Sequence, residues 1–487
     1  MIADPIVYLL ILGLGSIYLV KLFIIIKYHD LNTDQYNHNA FIKSLSTNFK
    51  LKVSALRETN TYPFLAHMIM DKVKNMFVKK YFSFSIEILF MLIMTRYLLE
   101  IEVETRSLLS ILIILSISTT SFSQVRFFSA RIFGIALFNI ILLVASTDLD
   151  LSVKIILEIL CLIPIFLASK FAHQAFVFVV LPAAVFFLKV DLLLSYPLAL
   201  VITFILTKGF VVKIFRAHIT HCYYTFFYNM DLYVFGHYYR DFETDKVDRR
   251  EFSIQRTVMS IISVIKNPVL ILIPILFLFG ENVEISFNIV LILIVLGIYI
   301  LLSFSTRLNW SVGESGRYFE YILVPLSLAS YNYGILTSNL FYVVLFLIIV
   351  SSYFWVFSLI RRENRSIIAA GRVYDNEESI ELISFLGTLK KSRVASLPIA
   401  ISNFLALNSK HEYFYPFSFL SQYYLQRTGI LPFFKFDEKN LLNKKYIDYL
   451  VVDKKQIPES YLKQIINRYK YTLVFENANY HVYQKVK

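Results

Sequence analysis

Charge is what this sequence has least of for its size. Only 17% of its 487 residues are Asp, Glu, Lys or Arg, against about a quarter in soluble globular proteins, so an ordinary water-soluble fold is excluded at the outset. Cysteine is nearly absent: Cys161 lies inside an apolar run and Cys222 beside a His- and Tyr-rich segment. Two thiols so placed suggest neither a disulfide framework nor a zinc cluster, and both read as packing residues. The 13 glycines and 12 prolines interrupt the apolar runs only rarely. No low-complexity tract or internal repeat is evident, and no Gly-rich phosphate loop or nucleophile elbow occurs in the C-terminal region.

What remains is apolar and aromatic. With 57% hydrophobic residues, mean hydropathy +0.60, 45 Phe and 33 Tyr, the chain reads as an α-helical polytopic membrane protein with aromatic bulk for interfaces and lipid-facing surfaces. Apolar runs near 5–26, 81–99, 107–122, 132–146, 151–168, 174–188, 192–212, 267–280, 285–304, 320–336 and 339–360 give about eleven transmembrane helices. Several fall short of the roughly 20 residues that cross a bilayer squarely, so the count holds to about one or two either way. The first run, Pro5 to Ile26, is longer than a signal-peptide core and has no small-residue cleavage site behind it, which predicts a retained anchor.

Eleven spans put the long loops 27–80, 213–266 and 305–319 on one side together with the tail. The chain then divides into a membrane domain, 1–362, and a small soluble α/β domain, 363–487. Within the first loop, Leu65, Ile69, Val73 and Met76 alternate with Lys72, Lys74, Lys79 and Lys80, which predicts an amphipathic interfacial helix over Phe64 to Lys80 or the polar start of the second span. In the tail, helical periodicity covers Glu377–Lys390, Ile399–Leu407 and Glu459–Tyr469. Extended segments cover Arg393–Leu397, Tyr446–Val452, Thr472–Phe475 and Tyr480–Tyr483. With no catalytic signature of its own, this tail reads as an accessory substrate-binding module.

The net charge of +13 sits in loops between hydrophobic runs, with no basic recognition element. Phospholipid headgroups or a phosphate-bearing substrate fit it better than nucleic acid, which is not an expected partner. The Lys/Arg excess lies on the loop-rich side, whereas the short turns carry Glu100, Glu102, Glu104, Asp148, Asp150, Glu281 and Glu284. By the positive-inside rule the loop-rich face is cytoplasmic, although long loops weaken that rule.

Chemistry concentrates behind the first span, in Lys27-Tyr-His-Asp30-Leu-Asn-Thr-Asp34-Gln-Tyr36-Asn-His38-Asn-Ala-Phe41. If Asp34 begins a helix, Asp34, His38 and Phe41 share a face, with Asp30 one turn earlier. A carboxylate so placed takes a proton from a hydroxyl, and a neighbouring His orients it or binds a metal. The competing reading is a helix cap. Asn60-Thr-Tyr62-Pro63-Phe64 follows and leads into the amphipathic segment.

An acid in a pattern like Asp-x-Tyr-x-His, followed by an aromatic-Pro segment, ten or more spans and a soluble α/β tail, resembles the C-type integral-membrane glycosyltransferases, the GT-C superfamily. The resemblance implies that Asp34 is the general base of an inverting transfer, supported by Asp30 and His38. It also implies that the loop-rich face and tail are extracytoplasmic, against the Lys/Arg bias, in the plasma membrane. The donor it implies is a sugar on a polyprenyl phosphate in the membrane lipid, and the acceptor a glycan or protein hydroxyl. No cofactor is fixed, and a divalent metal stays open.

Other charges near hydrocarbon, costly there, invite the same reading. Arg126, Arg131, Lys170, His173 and Gln174 all fall on the loop-rich side, with snorkelling to headgroups as the alternative. In Gly313-Glu314-Ser-Gly316-Arg317-Tyr-Phe-Glu320-Tyr321, two glycines allow close backbone approach and Arg317 offers a planar fork suited to phosphate. Arg317 is therefore the first choice for the lipid phosphate, with Arg131, Lys170, Glu314 and His173 as companions. An ion pair of Arg317 with Glu314 or Glu320 is the alternative. His218 and His221 make a weak metal signal, and their loop reads better as a solvated helical hairpin over the site.

Two other functions compete. A lipid-linked oligosaccharide or polysaccharide flippase predicts charge pairs buried mid-span or matching interrupted helices, and Lys154 with Glu158 is the only close pair deep in a run. A surface-polysaccharide polymerase or ligase shares the lipid-phosphate chemistry but centres on a large loop between late spans.

Overall fold

The computed structural model describes residues 4–28, 64–73, 76–118, 122, 125, 129–228, 267–280, 282–304, 312, 315–369, 376–397, 401–413, 447–454, 457 and 459–486. The first helix, α1 (Pro5–Tyr28), starts where sequence chemistry dictates. Pro5 needs no N–H partner at a helix start, and Asp4 accepts a hydrogen bond from the Ile6 amide at 3.0 Å. The other Asp4 oxygen accepts from Arg106 at the head of α4, so one cap also fastens two helices.

The stretch read as one amphipathic helix is two elements. A short helix, α2 (Leu65–Lys72), buries Ala66, His67 and Met70, and α3 (Met76–Glu100) then begins a span with Lys79 and Lys80 in its first turns. The polar start of a span thus accounts for Met76–Lys80, and Leu65–Lys72 is a separate short helix. α4 (Thr105–Ser116) and α5 (Ala130–Ala145) are buried over most of their length. Next come α6 (Leu151–Ala168), α7 (Lys170–Ala175), a π-helical segment Phe176–Val180 and α8 (Leu181–Phe186). Pro182 has no N–H to offer the preceding turn, and the widened π turn lies directly before it.

The run 192–212 bends sharply. α9 (Val190–Leu206) and the start of α10 (Phe210–Tyr228) meet at 118°, across Lys208 and Gly209, both with positive φ, a conformation glycine adopts at no steric cost. The remaining membrane elements are α11 (Leu272–Phe279), α12 (Phe287–Phe304), a 3-10 turn Ser315–Tyr321, α13 (Leu323–Asn332) and α14 (Asn339–Ala369). Among the described residues, four helices are long and apolar enough to cross a membrane, or five if the bent pair is one span; five shorter apolar helices accompany them. α14 runs through residue 362 without a break.

One close charge pair is invisible in the sequence. Lys21 of α1 donates to Glu87 of α3, and the two side chains are 0% and 7% exposed. The Lys21 ammonium also lies 5.0 Å from the Phe122 ring centre. Lys154 and Glu158 are therefore not the only candidates for a charge pair within the apolar bundle.

The tail forms a five-stranded mixed sheet of order β2-β1-β3-β5-β4, from β1 (Arg393–Leu397), β2 (Glu412–Tyr413), β3 (Tyr449–Asp453), β4 (Tyr471–Glu476) and β5 (Tyr480–Lys485). β1 pairs in parallel with β2 and β3, and β5 is antiparallel to β3 and β4. Leu382 and Leu386 of α15 (Glu377–Thr388) pack with Ile401, Leu405, Val451 and Val482 into its core. Asn376 caps α15 by accepting from the Ser379 amide at 2.9 Å. At the far edge Lys454 and then His481 bind Glu476, which holds its carboxyl down to about 2.

Candidate functional site

Three elements meet at one end of the bundle: the α6–α7 joint, the N-terminal end of α5 and the 3-10 turn Ser315–Tyr321. Ser169 makes the joint, accepting from the Ala172 amide at 3.3 Å and so starting α7 afresh. α5 approaches it so closely that a Cβ on Gly134 would fall 2.4 Å from the Ser169 side chain. The joint therefore tolerates only glycine opposite it in this geometry.

Lys170 and Phe171 open α7, and Arg317 faces them from the 3-10 turn. The Arg317 guanidinium carbon lies 4.4 Å from the Phe171 ring centre, and the Lys170 ammonium lies 5.9 Å from the same centre. The two cations are near enough to repel each other. Cations favour an aromatic face, but one ring does not neutralise two of them. Among the described residues, Lys170 has no carboxylate partner.

Glu320 receives both donors of the Arg131 fork, Nε to Oε2 at 2.8 Å and Nη2 to Oε1, with only 16% and 3% of the two side chains exposed. Bidentate pairing of this kind fixes orientation as well as charge. It ties the turn that carries Arg317 to α5, and leaves Arg131 engaged with Glu320. Tyr321, fully buried, sets its ring 4.8 Å from Phe138 and seals the turn from below.

His173, three residues on from Lys170, sits among aromatic side chains. Its Nε2 is 3.1 Å from the Tyr196 hydroxyl, and its ring stacks on Phe215 at 4.6 Å and meets Phe166 edge-on at 5.1 Å. Gln174 instead reaches Cys222 of α10, Nε2 to Sγ 3.8 Å. The structure thus brings Lys170 and Arg317 together, ties Arg131 beside them and seats His173 in an aromatic cluster.

Asp34, Asp30, His38, Glu314 and Arg126 lie outside the described residues, as does most of the loop after Tyr228. Among the described residues no three His, Cys, Asp or Glu side chains gather in a metal-holding group. Sequence reasoning did not single out Phe171, the shared ring, and offered Arg317 rather than Arg131 as the ion-pair partner of Glu320. An aromatic directly after a boundary lysine was the available signal for Phe171.

The sequence matches no established family profile and no curated protein. The structure does have a solved relative in shape: the crystal structure of ArnT from Cupriavidus metallidurans bound to undecaprenyl phosphate. It aligns with TM-score 0.55 over 98% of both chains at 10% identity. Agreement over nearly the whole length covers the helical bundle and the small C-terminal sheet alike. The chain is an integral membrane protein with the fold of the C-type membrane glycosyltransferases.

Proposed function

We propose that this chain is an inverting glycosyltransferase that moves a sugar from a polyprenyl phosphate to an acceptor hydroxyl at the membrane surface. The observation that carries the reading is the pair of cations, Lys170 and Arg317, gathered at the Phe171 ring near a membrane boundary. A lysine placed beside a second positive charge, with no carboxylate of its own among the described residues, calls for an anion. The fold supports a lipid-linked one, because the ArnT structure of the same fold holds undecaprenyl phosphate.

In the proposed reaction, the acceptor oxygen attacks the anomeric carbon while Asp34 removes its proton. The bond from that carbon to the phosphate oxygen breaks, and the leaving phosphate keeps the electron pair. Lys170 and Arg317 stabilise the charge it gathers, a term that is often the largest in catalysis. Arg131, held by Glu320, positions the turn rather than touching the phosphate. The loop-rich face and tail lie outside the cytoplasm at the plasma membrane, and the acceptor is a glycan or protein hydroxyl.

A flippase reading finds support in the buried Lys21–Glu87 pair. One experiment separates the readings and tests the anion site. Full-length protein in nanodiscs is titrated with undecaprenyl phosphate, then assayed with an undecaprenyl-phosphate sugar for release of undecaprenyl phosphate. The proposal expects binding that weakens about ten- to a hundredfold in Lys170→Met or Arg317→Met, as for loss of a charge-assisted hydrogen bond, and acceptor-dependent release. Translocation of the intact lipid-linked sugar without release supports the flippase and overturns the transferase.

A further inference from the structure

We infer that Gln174 reads a hydroxyl of the sugar carried on the lipid phosphate, in a polar subsite one helical turn beyond Lys170. This rests on the proposed glycosyltransferase reading and adds the residue that recognises the donor's sugar.

Gln174 is 8% exposed, and its Oε1 is enclosed with no hydrogen-bond partner among the described residues. Among the described residues its Nε2 has only the soft Cys222 sulfur, at 3.8 Å. A buried amide oxygen left in this state is costly, so a side chain kept there is best explained by a ligand that completes it. Lys170 and Gln174 are four residues apart on α7 and therefore share a face. Cys222 lies near both: its sulfur accepts from Gln174 at 3.8 Å, and Lys170 and Tyr318 are close to it. The subsite thus adjoins the proposed phosphate site and draws on three separate elements. The π-helical segment Phe176–Val180 begins two residues later, and such segments recur at functional sites because they redirect the preceding turn.

The chemistry of the ligand follows from the amide. A hydroxyl both donates and accepts, so it satisfies Gln174 whichever end of the amide faces it. A phosphate oxygen only accepts and is already matched by two cations. The group one turn from the phosphate that carries hydroxyls is the sugar bonded to it.

The test uses full-length protein in nanodiscs without acceptor. Affinities are measured for undecaprenyl phosphate and for its glucose, mannose and galactose conjugates, in the unaltered protein and in Gln174→Met, which keeps length and removes hydrogen bonding. The inference expects at least one conjugate to lose roughly three- to tenfold in affinity in the variant, the value of one hydrogen bond, while undecaprenyl phosphate binds as before. Unchanged affinity for every conjugate overturns the subsite and leaves the phosphate site standing, since the hydroxyl would then belong to the acceptor or to nothing. Equal weakening of undecaprenyl phosphate itself also overturns it, marking Gln174 as structural. Failure of the unaltered protein to bind undecaprenyl phosphate overturns the glycosyltransferase reading beneath both.

Discussion

Arg131 and Glu320 are joined by a two-pronged ion pair that fastens a 3-10 turn to the helix at the opposite side of the site. Both side chains are largely withdrawn from water, so removing one strands the other. Glu320→Gln should lower unfolding stability by about 3–5 kcal/mol. The exchanged double variant, Arg131→Glu with Glu320→Arg, should recover part of that loss. Thermal unfolding in detergent measures both. Equal stability of Glu320→Gln and the unaltered protein would show that the pair is not a fastening.

Gly134 bears on the same site from beneath. A methyl group there collides with Ser169, the residue that starts the helix carrying Lys170. Gly134→Ala should cost about 1–3 kcal/mol, the range for overpacking, and should weaken undecaprenyl phosphate binding by displacing Lys170. A variant with unchanged stability and binding would mean that the joint yields without moving the site.

The tail carries a pH dependence of definite sign. His411 is buried; its Nε2 donates to the Leu386 carbonyl at 2.6 Å, and its Nδ1 accepts from the Ser392 amide at 3.1 Å. Desolvation lowers its pKa, opposed by the Leu386 bond and aided by neighbouring Lys410. Because the folded pKa lies below the unfolded one, the proton favours the unfolded form. The stability this histidine contributes is complete above the unfolded value of about 6.5 and is lost as pH falls toward the folded value. Amide exchange in the full-length protein, corrected for intrinsic rate, should show β1 and β2 opening more readily at pH 5 than at pH 7.5. His411→Gln should flatten that difference; an unchanged pH dependence in the variant would assign it elsewhere.

Sidedness decides whether the base residue can meet its substrate. In a protein freed of Cys161 and Cys222, cysteines placed at Asn60 and at Ile380, which is 65% exposed, should both react with an impermeant maleimide added outside intact cells. Labelling of both only after the membrane is opened would put them in the cytoplasm, as the Lys/Arg distribution suggests, and contradict the proposed chemistry.

Local chemistry was legible where periodicity carried it. The helix Glu459–Tyr469 and the strand Arg393–Leu397 have the bounds expected from the sequence, because amphipathic spacing and β-rich composition agree there. β2 escaped notice because two residues paired in parallel on an edge leave no pattern. The bend at Lys208 and Gly209 was hidden by apolar residues that continue on both sides, though Gly209 marked the place. Lys170 and Arg317 stood out as charges at membrane boundaries. Their convergence, like the Lys21–Glu87 and Arg131–Glu320 pairings, depends on helices far apart in sequence and could not be read from spacing.

The central claim is that Asp34 is the base in transfer from a polyprenyl phosphate. Membranes containing the full-length protein or its Asp34→Asn variant are given a radiolabelled undecaprenyl-phosphate sugar, and label reaching acceptor is counted. The account predicts loss of about 10²- to 10⁴-fold in rate, the usual contribution of a general base, with expression and donor binding retained. Transfer by Asp34→Asn at the unaltered rate would contradict it.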